Sequence, residues 1–266
     1  MKRLVVVGDS DIAFWPKELL PSSTGDDENE NGVEWERPIV SGHSGATLAE
    51  VLPHLRTILA RINDDDDDDG RTPTTAAAST PDTLVVLVCA GENDIGEGLS
   101  LERSVESLRE FLDVVFLDDS YAGKGGDDHR YLLFLGPKFE PWLEHDPTYK
   151  KKYNAMTRAF QRCLQEYSYK AEKRDTIINI KDTKNTYNNT ALSNYSTIND
   201  HRIHFIDCLT MFCGETANLP GARLGGRAQA DPRFFASDQL HLNKEGYEVW
   251  KDVVETKIRQ CVSSSK

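Results

Sequence analysis

Ser10, Gly45, Asn93, Asp238 and His241 are residues whose types, taken together, suit acyl transfer. That chemistry needs a nucleophile, a base, a group orienting the base, and donors for an oxyanion. Ser10 offers a hydroxyl. His241 can take its proton, since an imidazole with a pKa of about 6.5 is partly neutral near pH 7. Asp238, three residues before His241, can hold the ring in one tautomer. The Ser10 and Gly45 N–H groups and the Asn93 carboxamide can point at a developing oxyanion, each typically worth about 3–4 kcal/mol of barrier lowering. Gly45 has no Cβ to block close approach.

Each residue also has a plainer reading. A lone serine after a strand is a turn or N-cap residue. Asp238 alone reads as a helix cap, Asn93 as a turn residue, His241 as a loop histidine, and Gly45 as the residue before a helix. His43, beside Gly45, is a rival base without an acid nearby in sequence. His201-x-x-His204 is a weak metal pair. Asp65, Asp67, Asp69 and Gly70 imitate the start of a calcium loop, but its twelfth position is Ala76 instead of glutamate, which excludes an EF-hand. No phosphate loop or dinucleotide fingerprint occurs.

The positioning elements follow from apolar patterning. Leu4–Val7, Val33–Val40, Leu84–Cys89, Tyr131–Leu135 and His204–Ile206 read as strands, the second weakened by Pro38. Helical spacing covers Thr47–Ile62, Ser100–Phe116, Tyr149–Lys173 and about Lys244–Gln260. Thr47 and Glu50 form a capping-box pair, and Pro53 is expected to kink the helix or delay its start. Strands alternating with helices imply parallel pairing through crossovers, hence an α/β chain in three α/β/α layers. Reactive groups in such folds gather beyond the carboxyl ends of the strands. Gly8-Asp9-Ser10, the loop Ser41–Thr47, Gly91–Asp94, Gly136-Pro137-Lys138 and Ser237–Asn243 all follow strands. Two polar segments, about 63–81 and 179–200, read as flexible insertions in one domain spanning 1–266.

Composition narrows the function. The chain has 266 residues and a formal net charge of −13, part of it from the run Asp64–Asp69. That charge argues against a nucleic-acid partner, which requires clustered Lys and Arg. The 5 cysteines are irregularly spaced, so no disulfide framework is expected, and Cys89 reads as a core residue. No apolar run approaches the roughly 20 residues of a membrane span, and none resembles a signal peptide. A cytoplasmic protein is expected, and the sequons at Asn188 and Asn194 read as chance matches.

Gly8-Asp9-Ser10, Ser44-Gly45-Ala46-Thr47, Gly91-x-Asn93-Asp94 and Asp238-x-x-His241 resemble, in order, the four blocks of the SGNH (GDSL-type) hydrolase family. The resemblance spans nearly the whole chain. It implies a flavodoxin-like sheet of five parallel strands and a serine hydrolase that cleaves carboxylic esters through an acyl-enzyme on Ser10. Matched block by block, Ser10, Asp238 and His241 form the triad, and Ser10, Gly45 and Asn93 the oxyanion hole. It implies no cofactor and no metal. The implied partner is a small-molecule ester: a lipid, a short-chain ester or an acetylated sugar. An acyltransferase on the same site and a non-catalytic binding module on the same scaffold remain alternatives.

Asp11 departs from the family, which often has leucine after the nucleophile. Its carboxylate is expected to help cap the following helix and to disfavour anionic substrates. Trp15, Phe139, Trp142, Phe234 and Phe235 can either wall an apolar substrate pocket or serve as core and loop anchors.

Overall fold

Three of the strands carry unbroken apolar runs because helices cover both faces of the sheet. The computed structural model describes residues 2–20, 35–64, 83–117, 129–182, 202–223 and 227–263. Strands β1 (Lys2–Gly8), β2 (Ile39–Gly42), β3 (Thr83–Cys89), β4 (His129–Leu135) and β5 (Ile203–Ile206) pair in parallel, in the order β2-β1-β3-β4-β5. Side chains alternate between faces. Val5, Val7, Val86, Val88, Leu132 and Phe134 enter one core, which is covered by α2 (Leu48–Asp64), α4 (Leu101–Phe116) and α5 (Pro147–Asp182). Leu4, Val6, Val85, Leu87, Leu133 and Leu135 enter the other, under α6 (Lys244–Ser263) and the short α1 (Ser10–Ala13). The architecture is the expected three-layer α/β/α sandwich with five parallel strands.

Several expected boundaries shift. β2 is confined to Ile39–Gly42; Trp35 makes only an isolated bridge to Lys2. Pro38 lacks the N–H a longer ladder needs, so it marks the strand's start. Pro53 lies inside α2 without ending it, because it costs only the donor to the exposed Ala49 carbonyl. Glu50 reaches back to the Thr47 N–H at 2.8 Å and its hydroxyl at 2.9 Å, and the buried Asp94 accepts the Leu48 N–H at 2.9 Å. The first residues of both segments read as insertions are helical instead. α2 continues through Asp64, and α5 runs through Asp182. The remainders, 65–81 and 183–200, lie outside the described residues, as do the calcium-like run from Asp65, both sequons and His201. No described helix is long and apolar enough to cross a membrane.

The sheet order has a functional consequence. Connections leave β1 and β3 toward opposite faces, so their carboxyl ends flank a crevice. Ser10 begins α1 directly after β1, and Asn93 lies in α3 (Glu92–Gly96) directly after β3. Gly42 lets β2 press against this turn. A Cβ there would fall 2.1 Å from the Ala13 nitrogen and 2.6 Å from the Ile12 carbonyl carbon, both main-chain atoms. Gly42→Ala should therefore push α1 away and cost about 1–3 kcal/mol by overpacking. Urea melts check the stability, and turnover should fall with it because α1 carries Ser10.

Candidate active site

Asp9, not Asp11, caps α1: its carboxylate accepts the Asp11 N–H at 3.1 Å. That corrects the capping role expected of Asp11. It also relieves Ser10 of the plain capping role. The half-buried Ser10 hydroxyl makes no hydrogen bond to any described residue.

Asp238 and His241 lie on a loop that organises itself. The Ala236 N–H donates to the His241 carbonyl at 2.8 Å, and Phe235 bridges antiparallel to Leu242. Asp238 Oδ1 accepts the N–H groups of Leu240 and His241 at 2.9 and 3.0 Å, leaving Oδ2 to meet His241 Nδ1 at 2.7 Å. Gln239 closes the turn with a positive φ of 60°. Burial alone would raise the Asp238 carboxyl, but the ring and the two N–H groups outweigh it and hold it down at about 2. The acid is thus ionised wherever His241 needs it. With Nδ1 engaged, His241 Nε2 is the ring nitrogen left to exchange a proton. The exposed Phe14 ring stands edge-on to the His241 ring, with centroids 4.8 Å apart.

α6 ties the two halves together. The Tyr247 hydroxyl donates to the Asp11 carbonyl at 2.9 Å, and Trp15 packs against Tyr247 and Trp250 with both centroids 5.5 Å away. Asn243 anchors the start of α6 by donating to the Phe235 carbonyl at 3.1 Å while its Oδ1 accepts the Gly246 N–H.

These elements enclose a cavity of about 370 Å³ whose lining includes Ser10, Asn93, Asp238 and His241. Ser10 Oγ and His241 Nε2 form no hydrogen bond to each other. Catalytic contacts are commonly long without substrate and tighten in the reacting complex. Asn93 Nδ2 donates to the Ala46 carbonyl at 3.1 Å and lies 3.4 Å from Asp9, which fixes the carboxamide. Gly45 does not line the cavity. It sits exposed on the adjoining loop, one residue from Ala46, with a φ of 76°. His43 is elsewhere: its Nε2 faces Ser41 Oγ at 2.8 Å and its ring stacks on His54 at 3.5 Å. Burial and His54 push its imidazole below the usual value. Of the five aromatic candidates only Trp142 lines the cavity. Trp15, Phe139 and Phe235 are buried in the cores, and Phe234 packs partly buried on the second one.

A charged cluster in the cavity was not foreseen as a unit. Lys138 is buried, and its ammonium meets Asp11 at 2.7 Å, Glu92 at 2.9 Å and Glu140 at 3.0 Å. Glu92 also accepts the Lys138 N–H at 2.7 Å, and Glu140 accepts from Trp142 and from the Tyr153 hydroxyl at 3.3 Å. Burial alone would lower the Lys138 pKa, but the carboxylates outweigh it and hold the ammonium well above the usual range. Burial raises Asp11, and burial with the adjacent Glu92 raises Glu140 well above ordinary carboxylates. One cation cannot neutralise this many buried acids, so the cluster retains protons. The Asp11 charge is consequently paired inward and does not stand bare beside the reacting centre, which removes the expected reason for it to repel anionic substrates. Asp9, Asp11 and Cys89 place ligand-type atoms within 4.8 Å of one another. Burial drives both the Asp9 carboxyl and the Cys89 thiol toward their neutral forms, and Lys138 already supplies positive charge, so this trio suits a cation poorly. The sequence signals for the cluster were Lys138 and Glu92, each just after a strand, and the charge of Asp11 beside Ser10.

Layering and strand order place the chain in the doubly wound α/β/α class. Three solved structures share that fold over nearly their full lengths. The lipase Lip_vut3 from a goat rumen metagenome has a TM-score of 0.56 at 15% identity, covering 97% of each chain. The lipase/acylhydrolase from Enterococcus faecalis has a TM-score of 0.51 at 14% identity, covering 97% of this chain and 95% of that one. A carbohydrate acetylesterase family member from Sinorhizobium meliloti has a TM-score of 0.51 at 13% identity, covering 99% and 100%. The chain thus has the fold of the SGNH (GDSL-type) hydrolases. No family model and no curated protein matches it.

Proposed function

We propose that the chain is a single-domain serine hydrolase that cleaves carboxylic esters of small molecules. The observation that carries this reading is the convergence of Ser10, Asn93 and the hydrogen-bonded Asp238–His241 pair on one cavity. The fold shared with a lipase, a lipase/acylhydrolase and an acetylesterase-family protein supports it.

His241 Nε2 accepts the Ser10 proton as Oγ attacks the ester carbonyl. Asp238 holds the ring and stabilises the imidazolium that forms. The Ser10 N–H and Asn93 Nδ2, which gives up its long contact to Asp9, donate to the tetrahedral oxyanion. His241 then protonates the departing alcohol, leaving an acyl group on Ser10. Water, deprotonated by His241, attacks that acyl-enzyme and releases the acid. Each element of the cycle comes from a strand end or from the loop before α6.

Hydrolysis of 4-nitrophenyl acetate by the purified chain tests the reading. Enzyme-dependent nitrophenolate release is expected, and release no faster than in buffer would overturn it. Asp238→Asn should lower kcat about 10²–10⁴-fold, because an amide both loses the charge and misorients the ring. Direct kinetics check this. The sign for pH follows from the depressed carboxyl: folding and pairing gain from Asp238 above its ordinary value near 3.8 and lose that gain as pH falls toward 2. Loss of activity above pH 4 is therefore not expected to come from protonation of Asp238.

A further inference from the structure

The Lys138 cluster bears on which ester the site takes. Its members line the same cavity as Ser10 and His241. Even with protons retained they carry more acceptor than donor positions, since one ammonium faces three carboxyl groups. Asp11 Oδ1 is buried without a hydrogen-bond partner among the described residues. The side chain of Glu92 is 15% exposed, against 3% for Asp11 and 0% for Glu140. Glu92 is therefore the group of the three that an entering molecule meets.

Trp142 and Leu240 give the cavity apolar lining as well, so the discrimination falls to Glu92. A fatty chain gains about 0.8 kcal/mol per CH₂ only where it is buried against apolar surface. Against Glu92 it would displace the water on that carboxyl and return no hydrogen bond, which costs energy. A hydroxylated group returns donors where acceptors are in excess. We propose that Glu92, in the cluster built around Lys138, is a specificity-determining residue that selects esters whose cavity-bound part carries hydroxyl donors over those with plain alkyl parts. This inference rests on the ester-hydrolase reading above.

Two pairs of esters that differ only in hydroxyl groups test it. Glyceryl monoacetate and propyl acetate differ in the hydroxyls of the alcohol. Ethyl glycerate and ethyl propionate differ in those of the acyl group. Each kcat/KM is divided by the rate of alkaline hydrolysis of the same ester, which removes intrinsic reactivity. The hydroxylated member should win by about tenfold or more in at least one pair, since a site built to bond a substrate hydroxyl rejects the analogue without it. Equal or better use of the alkyl member in both pairs would overturn the inference while leaving ester hydrolysis standing. No turnover of any ester would sink both. In the winning pair, Glu92→Gln should cut the ratio severalfold. A purely structural role would lower both members alike and leave the ratio unchanged, which would also count against the proposal.

Discussion

Replacing Ser10 with alanine should lower ester turnover by about 10⁴-fold or more while leaving thermal stability within about 0.5 kcal/mol of the parent. The kinetic loss follows from removing the atom that bonds to the acyl group; a factor of 10⁴ corresponds to about 5.4 kcal/mol of barrier. The intact fold follows from the local geometry. Asp9 supplies the cap of α1, and the Ser10 hydroxyl bonds to no described residue, so its loss orphans nothing. The two readings of Ser10 thus separate cleanly. A turn residue would lose stability and spare turnover. A nucleophile does the reverse. Calorimetry and nitrophenyl ester kinetics on the same preparation distinguish them.

Lys138→Met should be the most destabilising substitution of the site, at about 3–5 kcal/mol, because removing one partner leaves buried charges uncompensated. For a chain of this size that is a fall of roughly 10 °C in melting temperature. The loss has a pH signature. Asp11 and Glu140 bind protons more tightly folded than unfolded, so their contribution favours the fold at low pH and wanes as pH rises through and beyond the ordinary carboxylate range. Without the ammonium that penalty grows, so the deficit of Lys138→Met should be larger at pH 8 than at pH 5. Adding Glu140→Gln should restore part of the stability at pH 8, since an amide stays neutral. Denaturant midpoints at the two pH values measure all three effects. A loss below about 1 kcal/mol at pH 8 would mean that Lys138 is not the counter-ion described.

How far the site could be read from the chain depends on the range of each interaction. β1, β3 and β4 are buried on both faces, and unbroken apolar runs announce that locally. β2 is short and half-exposed, so patterning placed it too early. Asp238 and His241 are legible because their hydrogen bond spans three residues. Capping of α1 was misassigned because Asp9 and Asp11 are both acids within one turn, and only the backbone angles decide between them. The Lys138 cluster was illegible because its pairing with Asp11 joins residues 127 apart. No periodicity marks such a contact. It exists only once β4 has been laid two strands from β1. Gly45 was expected to face the site on its lack of a Cβ and on the resemblance of its Ser44–Thr47 block, and its place beside the cavity lining could come only from the course of the loop.

Covalent labelling with a fluorophosphonate, followed by peptide mass spectrometry, tests the central claim most directly. The reagent forms a stable phosphonyl ester only on a serine activated by a neighbouring base. One adduct per folded chain, mapped to Ser10, lost in Ser10→Ala and greatly slowed in His241→Ala, is the expected result. A folded chain that takes up no label, or carries it on another residue, would contradict the assignment of Ser10 as the nucleophile.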